Sequence, residues 1–149
     1  MGERPPPKEA AEIRGAVLEV PVPTPGERPG VYVDTLAAYS DGRARYVNGQ
    51  QGAMIIWEAT DHQRITALVR DVIAAAEPLA AKAAPVEKHR PMNPQVVRVT
   101  LLTYGGLRVV EAKESDVTDG HALGPVYAAG TRLLYALIEE DDKAKGKRP

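Results

Sequence analysis

At 149 residues the chain has the length of one domain, and a chain of this length buries roughly two thirds of the surface that its unfolded form exposes. Lysine and arginine together number 19 and aspartate and glutamate 20, so the net charge of -1 provides no global field that would attract nucleic acid or an anionic membrane. The cysteine count of 0 excludes disulfides, thiolate metal sites and cysteine nucleophiles.

Both ends of the chain are charged and poor in large apolar groups. Residues 1–10, MGERPPPKEA, lack the apolar stretch of a signal peptide, and no segment approaches the ~18 consecutive apolar residues of a membrane helix. Such polar ends cannot repay the entropy of being ordered. We therefore predict disordered tails at 1–10 and 141–149 around a single domain at 11–140, in a cytoplasmic protein that binds neither nucleic acid nor a membrane.

The first half of the chain has the alternating pattern of an antiparallel sheet. Residues 13–20 and 31–39 are predicted to be its first two strands. The dipeptide Asp41-Gly42 tolerates the positive φ of a two-residue type I′ turn, so a tight hairpin is expected there. The length of that turn decides which side chains share a face of the sheet.

A two-residue turn pairs Tyr39 with Ala44, and a second turn at residues 49–52 adds one more strand to this unit. The face predicted to be the core then carries Val31, Val33, Ala37, Tyr39, Ala44, Tyr46, Ile55 and Trp57. The reverse face carries Asp34, Leu36, Ala38, Arg43, Arg45, Val47, Met54 and Ile56. The two arginines on it are either a recognition patch or a solvated, salt-bridged surface.

The next predicted element is a helix that follows T-x-x-Q, a capping box at residues 60–63. Its apolar residues recur from Ile65 to Ala76 with helical spacing, and Pro78 should end or bend it. Residues 78–94 are predicted to be a connection back to the sheet.

A second hairpin and a final helix complete the chain. Residues 96–104 and 107–113 should pair around Gly105-Gly106. One side of this hairpin would carry Val97, Val99, Leu101, Val110 and Ala112, and the other Leu102, Tyr104, Leu107 and Val109. The last helix opens with Pro125 in its first turn and is amphipathic.

These elements predict an α+β fold: an antiparallel sheet of five or six strands, built from two β-hairpin units that are each followed by a helix, with the two helices mainly on one face. Two helices about 10 Å in diameter cover about 20 Å. Five or six strands about 4.8 Å apart span about 24–29 Å. The helices can therefore cover one face and little more.

The reverse face would then expose an apolar patch larger than an isolated soluble protein usually shows. Either the helices lie on opposite faces, or a partner, most simply a second copy of the chain, covers the patch. The residues predicted to form this interface are Leu36, Arg43, Arg45, Val47, Met54, Ile56, Leu102, Tyr104, Leu107 and Val109.

Two motifs resemble those of a group of small uncharacterised bacterial proteins. The first is a D-G-x-x-R-Y-x-N hairpin followed by G-x-x-x-x-W-E, and the second is the L-G-P that opens the final helix. The matching residues are Asp41, Gly42, Arg45, Tyr46, Asn48, Gly52, Trp57, Glu58, Leu123, Gly124 and Pro125. The resemblance covers about residues 30–140 and implies a shared fold without an activity.

The order of hairpins and helices also resembles, more loosely, profilin-like and roadblock/longin modules. Sheets of that kind serve as docking platforms for small GTPases and other proteins. This likeness is an analogy of fold and implies no particular partner.

The candidate chemistry is sparse. His62, His89 and His121 lack any paired metal-ligand spacing, so neither a metal nor another cofactor is predicted. Asp119 and His121 are weak candidates for an acid-base pair, against a plain polar turn before the final helix. No serine lies in G-x-S-x-G, and neither glycine-rich turn leads into a phosphate-binding helix.

Three functions remain in order of preference. The first is a non-enzymatic interaction or adaptor module that dimerises or docks a partner protein through the uncovered sheet face. The second is a small-ligand sensor or carrier with a pocket between the sheet and the loop at 114–125. The third is a hydrolase or lyase that uses this loop.

Overall fold

The computed structural model describes residues 13–22, 32–47, 54–57, 63–86, 95–118 and 120–146. These residues form one antiparallel sheet of seven strands and two α-helices. The strands are β1 (Ile13–Val22), β2 (Tyr32–Tyr39), β3 (Ala44–Val47), β4 (Met54–Trp57), β5 (Ala84–Val86), β6 (Val96–Thr103) and β7 (Gly106–Lys113). The helices are α1 (Gln63–Ala76) and α2 (Gly124–Gly146).

The sheet order β4-β3-β2-β1-β6-β7-β5 confirms the predicted α+β fold. Strand β1 is the central strand, and the two halves of the sheet join through its pairing with β6. One more strand is present than the sequence suggested. The extra strand is β5, three residues at the sheet edge with Pro85 in the middle, inside the segment that was predicted to be a connection. A proline on an edge strand blocks pairing with another chain.

The hairpin of β2 and β3 has a three-residue loop, and the predicted two-residue type I′ turn is wrong. The Tyr39 N–H donates to the Arg43 carbonyl, and the Gly42 N–H donates to the Tyr39 carbonyl, each at 2.9 Å. Gly42 has φ 95, whereas no described residue other than glycine has a positive φ. A type I′ turn needs positive φ at both central residues, and Asp41 does not supply it. The Asp41 carboxylate instead accepts the Arg43 backbone N–H at 3.1 Å and its Nε–H at 2.8 Å.

That one extra loop residue reverses the two faces of β2. Leu36 pairs with Tyr46 and Ala38 with Ala44, and all four side chains are buried. A slip of one residue in a strand moves its whole side-chain set to the other face. Leu36 and Ala38 therefore belong to the core, and the residues of β2 that were predicted to face it, Val33, Ala37 and Tyr39, lie on the reverse face. Ala44 and Tyr46 keep their predicted core positions.

Both helices pack on one face of the sheet. Helix α1 buries Ile65, Val69, Val72 and Ala76, and α2 packs beside it with Val126, Leu133 and Leu137 fully enclosed. The three β6 residues beneath them, Val97, Val99 and Leu101, have no exposed area. The hydrophobic core is therefore a single layer between the helices and one side of the sheet.

The ends of the helices follow the local sequence signals. Helix α1 stops at Ala76, and a 3₁₀ turn over Glu77–Ala81 takes up Pro78, whose ring cannot continue an α-helix. Helix α2 begins with Gly124 and Pro125 as predicted. It continues to Gly146, so residues 141–146 belong to the helix rather than to the predicted tail.

Candidate functional site

The side of the sheet away from α1 and α2, which we call the open face, is the candidate site. Strand register places a set of apolar and polar side chains on it: Val17, Val33, Thr35, Ala37, Tyr39, Arg45, Val47, Thr100, Leu102, Leu107 and Val109. Most of these apolar side chains are half-buried, and Leu107 is 38% exposed. No described helix packs on this face. The open face is therefore the side of the sheet that the comparison of helix and sheet widths predicted the helices would leave uncovered.

Five of the ten predicted interface residues lie on the open face: Arg45, Val47, Leu102, Leu107 and Val109. Two more, Met54 and Ile56, occupy backbone positions that pair with Val47 and Arg45. The predicted surface is thus largely assembled by the observed register.

Three predicted interface residues are placed elsewhere. Leu36 lies on the helix side and is 5% exposed, because of the loop length described above. Arg43 lies just before β3 rather than on a strand of the open face; Asp41 holds its guanidinium, which lies 5.8 Å from the ring centroid of Tyr39. Tyr104 is in the turn between β6 and β7, where the Arg14 guanidinium lies 4.7 Å from its ring centroid.

A row of charged side chains crosses the open face. Glu19, Arg98 and Glu111 occupy directly paired positions on β1, β6 and β7. The Arg98 guanidinium lies 3.7 Å from a Glu19 carboxylate oxygen and 3.4 Å from one of Glu111. Arg98 is 3% and Glu19 7% exposed, whereas the Glu111 side chain is 41% exposed. The row is therefore a buried ion pair with one solvated acid at its end.

This charged row was not predicted from the sequence. Glu19 is the one charged residue in the stretch LEV, and Arg98 is the one charged residue in VVRVTLL. A lone charge in an apolar strand was the signal in the sequence that could have indicated a buried ion pair. The pairing of Glu19 with Arg98 depends on the register of β1 against β6, two strands that are far apart in the chain. Local pattern could not supply that register.

In the loop at 114–125, the His121 side chain stabilises the turn that leads into α2. The Leu123 backbone N–H donates to Nδ1 of His121 at 3.0 Å, just before α2 begins at Gly124. Nδ1 thus acts as the acceptor, and the ring proton of a neutral imidazole then lies on Nε2. Asp119, the other candidate of the predicted acid-base pair, lies outside the described residues, as do His62 and His89.

Replacing His121 with alanine should lower the free energy of unfolding by about 1 kcal/mol, because the Leu123 N–H in the turn before α2 loses its side-chain acceptor. His121→Asn should retain most of the stability, since an asparagine oxygen can accept the same N–H. Urea denaturation followed by circular dichroism measures both. Equal losses for the two variants would contradict the role of the His121 side chain as acceptor in this turn.

The described residues contain no group of three or more histidine, aspartate or glutamate side chains arranged to hold a metal ion. None of the described helices is both long and apolar enough to cross a membrane. The open face offers apolar contact area and paired charges, which suit binding.

The resemblance that the two sequence motifs suggest remains a prediction after comparison with known proteins. No protein-family model, no curated protein and no solved structure matches this chain.

Proposed function

We propose that this protein is a non-enzymatic interaction module whose open face binds a second copy of the chain. The observation that carries the proposal is the helix layer, since both described helices pack on one side of a sheet that has apolar side chains on both sides. Apolar patches of more than a few hundred Å² on a protein surface are typical of interaction sites.

The size of the open face suits a dimer interface. Seven strands about 4.8 Å apart, with a rise of about 3.4 Å per residue, give the sheet a plan area of roughly 700 Å². Glu19, Ala37 and Arg98 near the centre of this face are already buried within the single chain. Each partner in a standard protein interface contributes about 800 Å². A second sheet packed about 10 Å above it would cover the whole face.

The arrangement of charges favours a second copy as the occupant. Strand β1 is the fourth of seven strands, so β3 and β7 lie at equal distances on either side of it. A two-fold axis parallel to β1 between two facing sheets therefore lays β3 of one copy over β7 of the other. Arg45 on β3 and Glu111 on β7 then have opposite charges on facing strands.

Strand register also aligns these charges along the strand direction. The cross-strand row that starts at Arg45 passes through Ala37, Val17 and Thr100 to Val109. In the proposed dimer Arg45 lies over the partner's Val109, and the partner's Glu111 is two residues, about 7 Å, farther along the strand. An arginine side chain spans that distance, and its apolar stem would cover the valine.

Sedimentation velocity on the purified chain tests the proposal. We expect a dimer at about 100 µM, and a monomer for Val109→Lys, because the new lysine would face the like charge of the partner's Arg45 between the two sheets. Ala67→Lys, on the exposed surface of α1, adds the same charge outside the interface and should stay dimeric. Arg45→Glu should weaken the dimer, since it places two carboxylates near each other.

A wild-type monomer at that concentration would overturn the homodimer. Dimerisation that Val109→Lys leaves unchanged would place the contact elsewhere on the molecule. Circular dichroism of each variant should match that of the wild type, so that a loss of assembly is not a loss of folding.

A further inference from the structure

A cavity of about 180 Å³ lies between the sheet and α2, on the side opposite to the open face. Leu18 and Leu36 form its floor, and the part of α2 between Tyr127 and Tyr135 forms its roof. Tyr135 is 67% exposed, so the cavity reaches the surface of the protein at this residue. Because the sheet separates the cavity from the open face, a site here does not depend on the proposed dimer.

The close approach of α2 to the sheet shapes the cavity. A Cβ atom placed on Gly130 would lie 2.7 Å from Cδ2 of Leu18 and 3.5 Å from Cδ2 of Leu36. Glycine thus brings the helix backbone against two leucine methyl groups and adds no side chain to the space beside them. All three residues line the cavity, which is therefore bounded here by methyl groups and helix backbone.

Three polar side chains of the lining are already engaged within the chain. Asp34 and Tyr46 each have an interaction partner in the protein. The Thr131 hydroxyl donates to the Tyr127 carbonyl at 2.9 Å within α2. A ligand therefore need not satisfy these groups, and the cavity offers it apolar contact with leucine side chains and tyrosine rings.

The charges around the cavity disfavour an ionic ligand. Among the described residues of the lining, Asp34 alone carries a formal charge, which repels an anion. Because this carboxylate already has a partner, it does not compensate a bound cation either. Burial, together with the negative charge of Glu114, raises the pKa of Tyr127, so this phenol stays neutral at physiological pH. An uncharged ligand avoids the cost of bringing an ion into these surroundings.

We propose that this cavity binds a small uncharged aromatic molecule, whose ring lies between the leucine floor and the tyrosines of the lining. Aromatic rings pack favourably on one another in offset and edge-to-face arrangements, and Tyr46, Tyr127 and Tyr135 provide three rings for such contacts. The volume is slightly larger than the ~150 Å³ apolar cavity known to hold benzene, which sets the ligand at roughly six to nine non-hydrogen atoms.

Methyl NMR titration of the full chain tests the site with three probes that share one ring: toluene, the cation benzylamine and the anion benzoate. We expect toluene to shift the methyl signals of Leu18, Leu36 and Leu134 with a Kd of about 0.1–1 mM. Benzylamine and benzoate should each bind at least about ten-fold more weakly, because an ion loses hydration in the cavity without gaining a partner.

Variants that fill the cavity test its location. Thr131→Phe adds a ring at a residue of the lining and should weaken toluene at least about ten-fold, because the new side chain takes the space of the ligand. Ala128→Phe, at an exposed position of α2, adds the same ring outside the cavity and should leave toluene binding unchanged. Gly130→Ala must displace the Leu18 methyl group and should weaken toluene about three-fold, which keeps the test available if Thr131→Phe does not fold.

The proposal is overturned if about 5 mM toluene shifts none of the three leucine methyl signals, or if benzylamine or benzoate binds as tightly as toluene. It is also overturned if neither Thr131→Phe nor Gly130→Ala changes the affinity for toluene. Far-UV circular dichroism shows whether each variant keeps its helices.

Discussion

Replacing Arg98 with methionine should lower the free energy of unfolding by about 3–5 kcal/mol, as expected when one partner of a buried ion pair is removed. Arg98 is 3% exposed, and the carboxylate of Glu19, 7% exposed, lies 3.7 Å from it. Without the guanidinium that carboxylate is left in a poorly solvated position. Glu111 should tolerate the change, because its side chain is 41% exposed to water.

Urea denaturation of a double variant distinguishes charge from packing. Glu19→Leu with Arg98→Met removes both members of the pair and should recover most of the loss, since apolar replacement of a whole buried ion pair is often neutral. If Arg98→Met alone lowers the free energy of unfolding by less than about 1 kcal/mol, the loss is that of a surface ion pair. Such a result would show that water solvates the Glu19 carboxylate in this variant.

Leu133→Ala should cost about 2–5 kcal/mol, because the side chain is fully enclosed where α2 packs into the core and the substitution leaves a cavity. Leu134→Ala is the matched control, with the same substitution and the same change in helix propensity one position later. Leu134 is only partly buried and should lose clearly less. Equal losses for the two variants, measured by denaturant unfolding, would contradict the packing of α2.

Much of the fold was predictable because its signals are local. The apolar spacing of α1, the proline that ends it and the proline that opens α2 act within one or two helical turns. The helix-side residues of the second hairpin were also correct, since strand alternation is visible in the residues themselves. Strand β5 was missed because three residues around a proline have no periodicity to detect.

Part of the open face was predicted from the sequence. The length of a single turn decided which of the predicted residues lie on it. Arg45, Val47, Leu102, Leu107 and Val109 lie on the open face as expected. Leu36 does not, because a three-residue loop at Asp41-Gly42 replaced the expected two-residue loop. The dipeptide Asp41-Gly42 is compatible with a two-residue and with a three-residue loop, because its glycine accepts a positive φ in either. The length of the loop then fixes whether Leu36 or Ala37 faces the helices.

The sequence by itself determined the number of helices, the order of the hairpin units and the insufficiency of two helices to cover a sheet that is apolar on both sides. These properties follow from short-range periodicity and from the widths of helices and strands. Only the tertiary structure decided that Glu19 pairs with Arg98, and that Asp34 and Tyr127 line one cavity beneath α2. Those facts depend on the register between distant strands and on the packing of a helix against them, neither of which is encoded in any local stretch of residues.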